Sequence, residues 1–245
     1  MTSKIIDIET KDGVAPCHFF SPPQEGNRPA VIFYMDGFGV RPALCDMAER
    51  LASSGCHVLL PNLYYSSSPF KPFVPAATFE EDTERARLME LVRSIDNQLV
   101  MEDTASFLDF LECHPSVAGQ KIGCVGYCMG GAFALSAAGA FPDRIAAAAS
   151  LHGSRLATDQ PDSPHLLASK MRAGIYVGIA GIDPQFKPEE KQRLESALQS
   201  AGVAHTVEVY PGVKHGFAVN DTPAYDHTAS ELHWRQILKL FQTLE

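Results

Sequence analysis

The feature that most restricts the fold is a series of short, almost wholly apolar runs: AVIFYMD from Ala30, CHVLLPNL from Cys56, KIGCVGY from Lys121, RIAAAASLHG from Arg144 and GIYVGIAG from Gly174. Runs without polar alternation suit strands buried on both faces, as in parallel sheets covered by helices. Between them lie stretches of helical character at 42–54, 80–111 (read as two helices), 129–141 and 187–200, and a closing helix over 224–244. HTVEVYPG (205–212) reads as a further strand, and KIIDIET and APCHFFSP read as an antiparallel hairpin around Asp12-Gly13. The segment 161–171 is helical or irregular, and the Pro- and Ser-rich stretch 61–75 is a long loop. This alternation predicts an α/β fold, a mainly parallel twisted sheet with helices on both faces joined by right-handed crossovers. No repeat or linker divides it, so a single domain spanning 1–245 is expected.

Charge narrows the partners. With 20 basic and 29 acidic residues the net charge is -9, which repels a phosphate backbone or an anionic membrane, and no run of Lys and Arg offsets it. The N-terminal MTSKIIDIETKDG has no apolar signal core, and no stretch is long enough to span a bilayer. A cytoplasmic protein with neither nucleic-acid nor membrane partners is expected, as a monomer or weak homodimer. The six cysteines (17, 45, 56, 113, 124 and 128) lack zinc-site spacing, so no metal, disulfide or cofactor is implied.

One cysteine stands apart. Gly126-Tyr127-Cys128-Met129-Gly130 has the form G-x-C-x-G between a strand and a helix, the nucleophile-elbow pattern with a thiol in place of a hydroxyl. Glycines two residues to either side remove the Cβ atoms that would collide at so sharp a corner. The helix N-terminus behind Cys128 favours a thiolate and a developing oxyanion. Glycine-rich corners also occur without chemistry, so the reading needs partners.

The elbow predicts an acid and then a histidine, each beyond a later strand. Asp183 follows GIYVGIAG and His215 follows HTVEVYPG, both past carboxyl ends, where side chains can converge with Cys128. His215 would move the thiol proton and Asp183 would fix the imidazole tautomer. The backbone N–H groups of Met129 and Gly37 are the expected oxyanion donors. Phe38, Tyr127, His152 and Phe217 flank these positions and are candidates for lining the pocket; the remaining histidines read as structural.

GYCMGG, GIDP, VKHGF, MDGFGV and LLPNLYY together resemble the dienelactone hydrolase family of α/β-hydrolases, from about Ile32 to the last helix. The resemblance implies the α/β-hydrolase fold, a Cys128–His215–Asp183 triad and hydrolysis of an enol lactone such as dienelactone to maleylacetate. In that family an acidic residue after the third strand contacts the resting thiol until substrate displaces it; Asp36 stands at that position. The family also grips its substrate carboxylate with two arginines. Arg85 is the best match for one, with Arg87 close behind, while the position of the other is occupied by Val219. Loss of one bidentate donor puts dienelactone itself in doubt.

The leading expectation is a cysteine-dependent hydrolase of a small carboxylic ester or lactone. Two alternatives come from other classes: a catalytically idle α/β-hydrolase scaffold that binds a small ligand, and a thiol redox sensor pairing Cys128 with Cys124.

Overall fold

The computed structural model describes residues 2–67, 70–118 and 121–244; residues 68–69 of the expected 61–75 loop lie outside them. Eight strands form one sheet in the order β1-β2-β4-β3-β5-β6-β7-β8. β1 (Thr2–Thr10) and β2 (Gly13–Ser21) make the expected hairpin, and β2 joins β4 (His57–Pro61) antiparallel. From β4 onward through β3 (Ala30–Tyr34), β5 (Ile122–Tyr127), β6 (Ile145–Leu151), β7 (Gly174–Ile182) and β8 (His205–Lys214) every pairing is parallel. All residues of β3, β4 and β5 are buried, which accounts for the unbroken apolar runs.

Helices α1 (Pro42–Ser53), α2 (Pro75–Thr78), α3 (Asp82–Ser94), α4 (Asn97–Cys113), α5 (Met129–Ala140), α6 (Pro188–Ser200) and α7 (His227–Phe241) follow the strands. The expected 80–111 stretch resolves into α3 and α4. The latter is capped by Asp96, whose carboxylate accepts from the Leu99 N–H at 2.9 Å. The closing helix begins at 227 rather than 224, because Asp226 accepts from the Ala229 N–H and fixes its N-terminus. Segment 161–171 contains a 3₁₀ turn at Pro164–Lys170. No helix among the described residues is long and apolar enough to cross a membrane.

Two features of the sheet place the chemistry. First, β3 and β5 are neighbours whose chains depart in opposite directions along the sheet, so a crevice opens beyond their carboxyl ends. Second, β8 runs past the end expected for it. Ala180 pairs with Tyr210 and Ile182 with Lys214, so one residue of β7 faces three of β8 across a bulge containing Gly212 at φ +76°. After the bulge the ladder resumes, and the next residue on each strand is Asp183 or His215.

Candidate active site

Cys128 sits where β5 becomes α5, with φ 54° and ψ -120°. For a residue bearing a Cβ this left-handed backbone is strained, and it persists because neighbours fix it from both sides. The Cys128 N–H donates to the Leu151 carbonyl at 3.1 Å, and the Cys128 carbonyl accepts from the N–H groups of Gly131 and Ser154. A Cβ on Gly126 would overlap the Gly130 carbonyl, and one on Gly130 would lie 2.5 Å from the Met35 carbonyl oxygen. The glycine spacing is therefore a condition for closing the corner.

His215 Nδ1 lies 2.7 Å from Asp183 Oδ2, with the Asp183 side chain 1 % exposed and that of His215 16 %. Its Nε2 is buried and free of an ordinary hydrogen bond among the described residues, but the imidazole is close enough to Cys128 for their charges to couple. Burial alone pushes the thiol up; the positive charge of His215 and the Met129 N–H outweigh it and hold the thiol below its usual range. Burial likewise pushes His215 down, and the Cys128 thiolate together with the Asp183 bond reverses this and raises it. Each group thereby favours the charged form of the other, and the thiolate is the form in which a cysteine is a nucleophile.

Gly37 lies buried in the loop that follows β3, with the side chains of Leu88 and Val92 from α3 packed over it. Its carbonyl accepts from the Tyr64 hydroxyl at 2.8 Å, and the next N–H, that of Phe38, donates to Asp36 Oδ1 at 3.0 Å. The Gly37 loop is thus held by its own Asp36 and by Tyr64 from the loop after β4, the kind of preorganisation an oxyanion site requires. Phe38 is half-buried in an aromatic group with Phe73 and Phe79.

Other expectations change. Asp36 does not hydrogen-bond the thiol: Arg41 takes both of its oxygens at 2.7 and 2.9 Å. Its charge nevertheless acts against the thiolate. Tyr127 and Phe217, expected to line the pocket, are fully buried beneath it. The Tyr127 side chain points away from the crevice, stacking on Phe33 and placing its hydroxyl 3.2 Å from His233 Nε2 of α7. Phe217 packs on Tyr210 and His152. His152 is 2 % exposed and lies edge-on to His215 with centroids 5.0 Å apart, so it backs the imidazole. Cys124 is wholly buried, its thiol donating to the Ala134 carbonyl, which leaves it unsuited to resolve an oxidised Cys128.

The arginines separate clearly. Arg87 is committed to Glu84, to the Lys71 carbonyl and to the Phe73 ring, with its guanidinium carbon 3.6 Å from the ring centre. Arg85 occupies the same stripe of α3 as Leu88 and Val92, and among the described residues its half-exposed guanidinium is held only by Asp82. Sequence reasoning missed Arg41, Tyr64, Ser154 and Asp221. Ser154 Oγ is 3.9 Å from Cys128 Sγ on a loop bent by positive φ at His152 and Arg155. Tyr64 lies within LLPNLYY, which carried the resemblance without pointing to this residue; the other three belong to no motif, and the nearest signal was Arg41 placed just before the helix-starting Pro42.

The family model described as the dienelactone hydrolase family matches residues 17–245. A carboxymethylenebutenolidase of Rhodococcus opacus is 26% identical over 224 residues, which is 89% of this chain and 82% of the relative. Among solved structures, a dienelactone hydrolase-like promiscuous phosphotriesterase from metagenomic libraries superposes with a TM-score of 0.82 at 22% identity, covering 99% of this chain and 98% of the other. The dienelactone hydrolase of Anabaena variabilis gives 0.69 at 19%, covering 99% and 97%.

Proposed function

Because the chain belongs to the dienelactone hydrolase family, a family of ester and lactone hydrolases, we propose that it cleaves a small carboxylic ester or lactone through Cys128, His215 and Asp183. The observation that carries this reading is a strained Cys128 at the elbow, coupled to a histidine whose far nitrogen is bound by a buried carboxylate. In the first step Cys128 Sγ attacks the carbonyl carbon, and the carbonyl electron pair moves to oxygen, where the N–H groups of Met129 and Gly37 receive it. Collapse of the tetrahedral adduct re-forms the carbonyl and breaks the bond to the leaving oxygen, which takes a proton from His215 Nε2. Water then attacks the thioester as His215 accepts its proton, and the thiolate departs with the acid product formed. Asp183 stays ionised and holds the imidazole throughout.

Substrate choice follows from the same inventory of charges. Val219 supplies no cation, Arg87 is committed elsewhere, and among the described residues Arg85 is tied only by an exposed pair of the sort that contributes little and opens easily. An anionic substrate therefore meets one available guanidinium instead of a clamp, and neutral esters or lactones with good leaving groups fit the site as well as acidic ones. We read the protein as acting without a cofactor, on small molecules only.

The deciding experiment is turnover of p-nitrophenyl acetate, a neutral aryl lactone and dienelactone by wild type and Cys128→Ala, with mass spectrometry for an acyl group on Cys128. Acylation in wild type and loss of turnover in the variant are expected. If no ester acylates Cys128, the hydrolase reading fails and an idle, ligand-binding scaffold takes its place.

A further inference from the structure

Arg41 is the most fully committed cation in the described structure. It is 4 % exposed, and its guanidinium makes five hydrogen bonds. Two go to Asp36, two to Asp221 at 2.6 and 2.9 Å, and one to the Gly39 carbonyl. Five N–H donors are all a guanidinium has, so none remains for a substrate. The three side chains join two loops that the sequence separates widely: Asp36 and Arg41 flank Gly37 after β3, and Asp221 lies in the loop that follows His215.

We infer that Arg41 is a positioning residue for Cys128 chemistry: its double fork ties the Gly37 loop to the His215 loop and keeps the Asp36 carboxylate neutralised and turned away from the sulfur. This deepens the reading above and rests on Cys128 as the reactive thiol. The charge argument is direct. Asp36 is buried, and burial raises its affinity for a proton against the pull of Arg41, its one bonded cation among the described residues. The same carboxylate disfavours the thiolate. Without Arg41, Asp36 and Cys128 become two acids in one water-poor site, unable both to ionise at their present pH, and they titrate as a coupled pair. The other groups facing the sulfur are His215, backed by Asp183 and His152, together with the neutral hydroxyls of Tyr64 and Ser154; Asp221 stands beyond Arg41. Among these, Arg41 is the cation that screens Asp36.

Geometry adds a second consequence. A fork bound on both sides fixes distance and angle, which a flexible ammonium does not. Loosening it lets the Gly37 N–H drift from the point where oxyanion charge develops, a cost paid in the transition state more than in substrate binding.

The test follows alkylation of Cys128 by iodoacetamide across pH, read by mass mapping of the Cys128 peptide, together with ester kinetics where there is turnover. In Arg41→Met the alkylation midpoint is expected to rise or split into two steps, and kcat to fall about tenfold or more with KM within about twofold. Adding Asp36→Asn should return a single step. Asp36→Asn alone, with Arg41 still held by Asp221, should move the midpoint below wild type. An unchanged single step in Arg41→Met, or a midpoint in Asp36→Asn at or above wild type, overturns the proposal. Should Arg41→Met not fold, Asp36→Asn decides by itself. A midpoint that shifts as described in a protein that never turns over an ester sinks the hydrolase reading and leaves this one standing.

Discussion

His215 Nδ1 meets Asp183 Oδ2 at 2.7 Å because Ile182 and Lys214, the residues just before them, form the last pair of the β7–β8 ladder. The bond is therefore built into the edge of a sheet and does not depend on a loose loop. It also fixes the tautomer, leaving Nε2 toward the sulfur.

Asp183→Asn keeps the size but offers an amide in place of the carboxylate, which favours the wrong tautomer and withdraws charge from the imidazolium. A fall in kcat of roughly a thousandfold is expected with the fold intact. Steady-state kinetics beside circular dichroism check this; a loss under about tenfold would show that His215 is oriented by other contacts.

The thiolate should be detectable before any substrate arrives. Burial raises the Cys128 thiol and His215 lowers it further, so alkylation of Cys128 should reach half its maximal rate below the usual cysteine value. His215→Gln removes the largest lowering influence and leaves burial and Asp36 opposed by the Met129 N–H alone, so the midpoint should move above that value. Equal profiles in the two proteins would dismiss the ion pair.

Arg85→Gln separates carboxylate recognition from general binding. For an anionic lactone KM should rise by about tenfold, the scale of one charge-assisted contact, while a neutral aryl ester is unaffected. Equal changes for both substrates would remove Arg85 from the binding site.

Acid should destabilise the fold through its buried histidines. His233 is wholly buried against Tyr127, and burial holds its pKa at about 3, whereas an unfolded histidine protonates near 6.5. A depressed folded value means that the unfolded chain binds the extra proton. Its stability contribution is thus complete above about pH 6.5 and lost as pH falls toward about 3, at up to about 1.4 kcal/mol per pH unit. His152 is held low by burial and acts in the same direction. Urea unfolding at about pH 7.5 and about pH 4.5 should show a smaller pH-dependent loss in His233→Phe than in wild type. Identical losses would place the acid sensitivity elsewhere.

The sequence by itself determined the alternation of buried strands and helices, the parallel sheet, and the positions of Cys128, Asp183 and His215 at carboxyl ends. These depend on local pattern: an unbroken apolar run, a glycine two residues either side of a corner, a polar residue directly after a strand. Tertiary structure alone decided the rest. The β8 bulge moved the strand end from the Pro211-Gly212 turn to Lys214, because pairing with β7 repays two extra residues that local propensity reads as a stop. Tyr127 and Phe217 were drawn into the core, since which face of a chain meets solvent is set by packing against α7 and not by nearness in sequence to a reactive residue. Arg41 and Asp221, 180 positions apart, leave no motif at all; their contact exists because the sheet brings the loops after β3 and β8 to the same edge, and a buried carboxylate there requires a cation.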